Sequence, residues 1–144
     1  MARLHPTQPL FIKPAQSVAQ AVSLMRQEKV GCVLVCEEDR LVGIFTERDL
    51  MRRVLAEKRG LDMPVLEFMT PNPVIVQSKQ TIGAAVRLME EGGYRHLPVM
   101  NEAGRPVGVL SVKRIVHYLV EHFPSTVYNL PPDPGIVPQE REGA

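Results

Sequence analysis

Residues Ser17–Met25 read SVAQAVSLM, and residues Thr81–Met89 read TIGAAVRLM. An offset of 64 positions relates them, and each opens on a hydroxyl residue of the kind that caps a helix N-terminus. Behind the cap, Val18, Ala21, Val22, Leu24 and Met25 fall at helical spacing, as do Ile82, Ala85, Val86, Leu88 and Met89. One amphipathic helix is therefore predicted twice. The same offset places Gln8–Ile12 (QPLFI) on Asn72–Val76 (NPVIV) and Val33–Val35 on Leu97–Val99. One extra residue in the turn Asn101–Gly104 raises it to 65, and Gly43–Leu50 (GIFTERDL) then falls on Gly108–Ile115 (GVLSVKRI). Two units of about 60 residues account for most of the chain, a duplication rather than a longer array.

Each unit reads strand, helix, strand, strand, helix. A short extended segment (Leu10–Ile12; Val74–Val76) precedes the helix, and Gly31 or Gly92–Gly93 marks the helix exit. An apolar run (Val33–Cys36; Leu97–Met100), a polar turn and a second strand (Leu41–Phe45; Pro106–Leu110) make a hairpin. Thr46 or Ser111 then opens the second helix. A unit of about 60 residues buries too little apolar surface to be comfortably stable alone, which favours packing the two sheets together. The predicted fold class is α+β, with two β-α-β-β-α modules packed sheet to sheet with pseudo-two-fold symmetry. The expected organisation is a first module over 6–60, a linker over 61–70, a second module over 71–122, and a proline-rich C-terminal arm over 123–144.

The 144 residues carry a formal net charge of +1 and 44% hydrophobic side chains. That balance counts against a dedicated nucleic-acid binder, which shows a basic excess, and against a disordered acidic chain. Apolar runs such as Cys32–Cys36 are far shorter than the roughly 20 residues of a membrane span. Pro6 and Pro9 interrupt any secretion signal in Met1–Leu10, and two cysteines make no disulfide framework, so a cytoplasmic location is expected. Cys32 and Cys36 would sit about 13 Å apart along one strand, too far to share a metal or a disulfide. His117, Glu121 and His122 near the end of the last helix read as a solvated face. So does the basic cluster Arg48, Arg52, Arg53, Lys58 and Arg59, with its interspersed acids. The tail from Pro124 holds five prolines and spaced apolar residues, which suggests an extended arm. No nucleophile–base set, phosphate loop or paired-carboxylate site is present, so no enzyme activity is expected.

GIFTERD at Gly43–Asp49, GVLSVKR at Gly108–Arg114, YRHLPV at Tyr94–Val99 and MTPNPV at Met69–Val74, in this order and duplicated, resemble a tandem pair of cystathionine-beta-synthase (CBS) domains, a Bateman module. The resemblance covers about four-fifths of the chain. It implies a regulatory protein that binds an adenosine-containing ligand (AMP, ADP, ATP or S-adenosylmethionine) between the modules, with no resident cofactor. It also implies a homodimer, and a regulated partner acting in trans.

The family's ligand motif is glycine, two residues, threonine or serine, two residues, aspartate. Its first copy is complete in Gly43, Thr46 and Asp49. These residues could meet phosphate and ribose at a helix N-terminus, or could cap that helix among themselves. The second copy has Ser111, but Arg114 replaces the aspartate, and a guanidinium cannot accept from a ribose hydroxyl. One nucleoside site per chain is therefore expected. Related pairs use basic residues near Arg95 and His96 to reach phosphate, which implies a composite site of Thr46, Asp49, Arg95 and His96. The alternative is that Arg95 pairs with Glu90 or Glu91 and His96 is a satisfied half-buried histidine. Met69–Pro73, Phe11 and Ile12 are candidates for an apolar wall against adenine. Two other readings stay open: an interaction module with empty clefts, and a nucleic-acid binder.

Overall fold

The computed structural model describes residues 8–122; the proline-rich arm expected over 123–144 lies outside the described residues. The elements are β1 (Phe11–Ile12), α1 (Val18–Glu28), β2 (Cys32–Glu37), β3 (Arg40–Thr46), α2 (Glu47–Asp49), β4 (Thr70–Pro71), β5 (Val76–Gln77), α3 (Ile82–Gly92), β6 (His96–Met100), β7 (Pro106–Ser111) and α4 (Val112–His122). α2 continues through a wide π-type turn over Leu50–Leu55.

The duplication is exact enough to repeat the irregularities. β1 runs parallel to β2 through Ile12–Val35, and β5 parallel to β6 through Val76–Val99. Both hairpins are antiparallel, and both carry a bulge at the same place, Val35/Cys36 and Val99/Met100. Ser17 and Gln20 form a reciprocal cap on α1, and Thr81 caps α3 through the Ala84 N–H. At the C-termini the copies differ. Gly93 takes the left-handed conformation after α3, as glycine does at low cost. After α1 that conformation belongs to Lys29 (φ 55°), two residues before the glycine expected to mark the exit.

β2 explains the sheet packing. Val33 and Val35 point into the core with Val18, Ala21 and Met25 of α1, and with Phe45 of β3. Cys32 and Leu34 point the other way and meet Ile44 of β3 and Val109 of β7. A strand buried on both faces reads as an unbroken apolar run, which is what VLVC is. The second module builds its own core from Val76, Ala85, Met89, Leu97, Val99, Leu110 and Ile115. Val86, expected on the buried face of α3, is instead exposed.

The segment 61–70, expected to be a linker, is tied into the first module. The N–H groups of Val18 and Ala19, which lack partners inside α1, donate to the carbonyls of Met63 and Leu61 at 2.9 and 2.8 Å. Val65, Phe68 and Met69 are buried in the first core. β4 then adds a fourth strand beside β3. Two residues of the basic cluster hold this segment down: Arg53 donates to the carbonyls of Phe68 and Met69, and Arg59 stacks 5.1 Å from the Phe68 ring.

Thr46 and Asp49 make the junction between β3 and α2. The Thr46 N–H and hydroxyl both donate to Asp49 Oδ2, and the Asp49 N–H returns to Thr46 Oγ1. On the far oxygen, Thr70 of β4 donates to Oδ1 at 3.2 Å, and Arg53 Nε lies 3.5 Å away. Asp49 as a whole is only 6% exposed.

Two stability changes follow, both measurable by urea denaturation. Leu34→Ala leaves a hole between the sheets and should cost about 3 kcal/mol. Asp49→Ala removes a buried acceptor, strands the donors that met it and should cost about 2 kcal/mol; a change under about 0.5 kcal/mol would show that the junction is held by other contacts.

Candidate ligand-binding cleft

One backbone hydrogen bond recurs in both modules and sets the site. The Glu47 N–H at the start of α2 donates to the Gly31 carbonyl at 3.0 Å, and the Val112 N–H at the start of α4 donates to the Arg95 carbonyl at 3.1 Å. Each second helix is thereby anchored to the residue that leads into its module's first hairpin strand. The side chains differ. Gly31 has none, and an added Cβ would stand 2.8 Å from Glu47 Oε1 and 3.1 Å from His96 Nε2. The missing side chain is what admits His96 of the second module beside Glu47 of the first.

Around this meeting point lies a cleft of about 1150 Å³. Arg26 and Lys29 at the end of α1, with Glu47, form the wall from the first module. Arg95, His96, Ser111, Lys113 and Arg114 form the wall from the second. Leu10 and Val109 supply apolar surface. Ser111 caps α4, its Oγ accepting from the Arg114 N–H at 3.0 Å, so a helix N-terminus opens at the cleft. Burial holds the His96 imidazole below its usual range; Glu47 opposes that shift and Arg95 adds to it. His96 is therefore neutral at pH 7. His117 also lines the cleft, and its ring pairs with Glu121 at 2.8 Å on an exposed face.

The structure brings together Arg95, His96, Ser111 and Arg114. It does not bring Gly43, Thr46 and Asp49 to the same cleft. Thr46 and Asp49 are engaged with each other and with Thr70, as the capping alternative describes. Gly43 is buried against the thioether of Met69. The apolar-wall candidates also lie elsewhere: Ile12 and Met69 are in the first core, and Phe11 borders a separate cavity of about 730 Å³ near the hairpin ends. Sequence reasoning missed Glu47, Arg26, Lys29 and Lys113 as cleft residues. A usable signal existed for Glu47, which stands at the position of Val112 under the repeat and so had to lie beside Gly31.

The two cysteines stay thiols with no reactive character. Burial pushes the Cys32 thiol up to about 12 and the Cys36 thiol up to about 11. No group of three or more potential metal ligands occurs among the described residues, and no described helix is long and apolar enough to cross a membrane.

Comparison with known proteins agrees with the architecture. The CBS domain family model matches residues 3–56 and 65–121. A conserved protein from Pyrococcus horikoshii has a similar crystal structure, with 30% identity and a TM-score of 0.76 over 81% of this chain and 91% of that one. The crystal structure of CBSX2 in complex with AMP is similar at 26% identity and a TM-score of 0.70, over 83% and 94% of the two chains. The Arabidopsis thaliana CBS domain-containing protein CBSCBSPB3 is 30% identical over 74% of this chain, which spans only 19% of that longer protein. Two matched segments, two sheets in the same β-α-β-β-α order and these neighbours give one conclusion: the chain belongs to the CBS domain family, as a tandem pair.

Proposed function

We propose that this chain is a regulatory ligand-binding protein that senses an adenosine-containing nucleotide in the cleft between its two modules, without turning it over, and signals to a partner in trans. The observation that carries this reading is the convergence of basic side chains from both modules on one cleft of about 1150 Å³. Such a site favours an anion, has room for a nucleotide, and touches both halves of the molecule. The AMP bound by CBSX2 supports the ligand class. Because the ligand contacts both modules, its binding energy biases their relative placement, and that difference is what a partner reads. A homodimer formed through the second helices is part of the proposal. Met51 and Leu55 after α2, and Val112, Val116 and Leu119 on α4, leave apolar surface exposed there. A reducing cytoplasm suits the two thiols.

A thermal-shift panel of AMP, ADP, ATP, NAD, S-adenosylmethionine and a short RNA tests the reading. At least one adenosine ligand should raise the melting temperature by several degrees, and Arg95→Ala should weaken its binding about tenfold or more. If none stabilises the protein even at millimolar concentration, the nucleotide reading fails and the empty-cleft module takes its place; stabilisation by RNA alone would favour the nucleic-acid reading.

His96 adds a pH signature. In the ligand-free protein its folded-state pKa lies below the usual 6.5. As pH falls below that value the unfolded chain takes up the proton first, so stability falls with acid. Glu47 faces the ring from α2, Arg95 lies beside it on the chain, and Arg26 and Lys29 share the cleft. A bound phosphate favours the imidazolium, so ligand stabilisation should grow as the pH falls toward and below the usual histidine value of 6.5. Thermal melts with and without ligand check this, and His96→Gln should remove both the acid loss and the growth.

A further inference from the structure

We propose that the cavity of about 730 Å³ at the hairpin ends is a second ligand site, separate from the cleft described above, and that it takes a small zwitterion with an apolar body, namely an amino acid with a large apolar side chain. The proposal stands independently of the nucleotide reading.

Position comes first. Cys32, Leu34 and Cys36 belong to one cluster on the same side of β2. Cys32 lines the first cleft, and Leu34 is fully buried in the contact between the sheets. Cys36 lines the second cavity, about 13 Å along the strand from Cys32. β7 makes the same passage, from Ser111 in the cleft to Pro106 in the cavity. The cavity is therefore walled by both modules, by the β1–α1 loop and the β2–β3 turn of the first and by the β6–β7 turn of the second. An occupant there touches both halves of the molecule at the end of the seam away from the cleft.

The chemistry of the walls sets the ligand class. Glu37, Glu38 and Asp39 bring three carboxylates to the β2–β3 turn, while Lys13 and Arg105 bring cations on the other two segments. Among the described residues no ion pair joins the two sets. Between them Phe11, Cys36 and Pro106 supply apolar surface, and Phe11 is half exposed. Burial first, and Asp39 second, hold the Cys36 thiol up at about 11, so the Asp39 charge stands beside this apolar lining. An ammonium suits the acidic turn, a carboxylate suits Lys13 and Arg105, and an apolar side chain suits the surface between them. A ligand with only one of the two charges leaves the opposite wall unanswered.

The residues of the acidic turn add to this. Glu38 and Asp39 close the hairpin with φ of 50° and 65°, a conformation in which glycine or asparagine is the low-cost choice. The second hairpin turns through Asn101 and through Gly104 at φ 78°. The first hairpin thus keeps two acids at positions that cost backbone strain, and both line the cavity.

NMR titration of the isotope-labelled full chain reads both the place and the class. L-phenylalanine, phenethylamine and hydrocinnamate serve as probes, since they share one ring and differ in the charges they carry. L-phenylalanine should shift the amides of Phe11, Cys36, Asp39 and Arg105 saturably, and bind about tenfold more tightly than either single-charge probe. Arg105→Gln should bring its affinity down to that of phenethylamine. Asp39→Asn suits a left-handed turn position and so keeps the hairpin; it should bring L-phenylalanine toward hydrocinnamate. The proposal is overturned if these amides show no saturable shift up to the solubility limit of the amino acid, or if the shifts fall on Arg95 and His96 instead. A single-charge probe that binds as tightly as L-phenylalanine would show that the cavity reads one sign of charge, and the zwitterion assignment would be wrong.

Discussion

The burial of β2 on both faces is the constraint on which the rest of the molecule depends. A unit of about 60 residues can cover one face of its sheet with its own helices, but not the other. Leu34 and Cys32 are covered because Ile44 and Val109 close over them from the neighbouring strand and the other module. Once the sheets meet there, the strand ends and the starts of α2 and α4 are carried to the same side of the contact. The cleft is a consequence of that packing, lined by chain from both modules because both supply the sheets that form it.

The two copies of the ligand motif then diverge for a chemical reason. A carboxylate three residues after a helix cap can accept from the cap's N–H, and Asp49 does so toward Thr46 while its other oxygen draws in Thr70. The junction therefore closes on itself, and β4 seals it. Arg114 has no acceptor with which to close such a ring, and its own N–H donates to Ser111 Oγ at the α4 start. The substitution that makes the second motif look incomplete is what leaves charge facing the cleft. The pattern nearest to the family's motif is accordingly the more structural of the two, and the degraded one borders the open site.

Most of the fold was legible because its signals are local and occur twice. The helix caps at Ser17 and Thr81, the period of the apolar residues and the hairpin turns each need only a short window of sequence. What was not legible depends on contacts between distant segments. Nothing near Val65–Met69 says that it will fill the first core rather than span a gap, and nothing near Arg53 says that its guanidinium will hold the carbonyls of Phe68 and Met69. For the cleft, Arg95, His96, Ser111 and Arg114 were reachable through the motif and the resemblance. Arg26 and Lys29 belong to no motif, and only the fold places the end of α1 on the wall of the cleft.

Gly31 shows how a duplicated backbone can carry an unduplicated site. The carbonyls of Gly31 and Arg95 accept equivalent bonds from Glu47 and Val112, so the backbone at these positions is spoken for in both copies. The side chains are not bound by that requirement. At one position an arginine lends charge; at the other the absence of a side chain lets a glutamate and a histidine approach from different modules. Adding even a methyl group at Gly31 would push against Glu47 or His96 and leave the main-chain bond intact, so this position can alter the site while the fold it stands on is kept. The repeat supplies the scaffold twice, and the function proposed here comes from the places where the two copies differ.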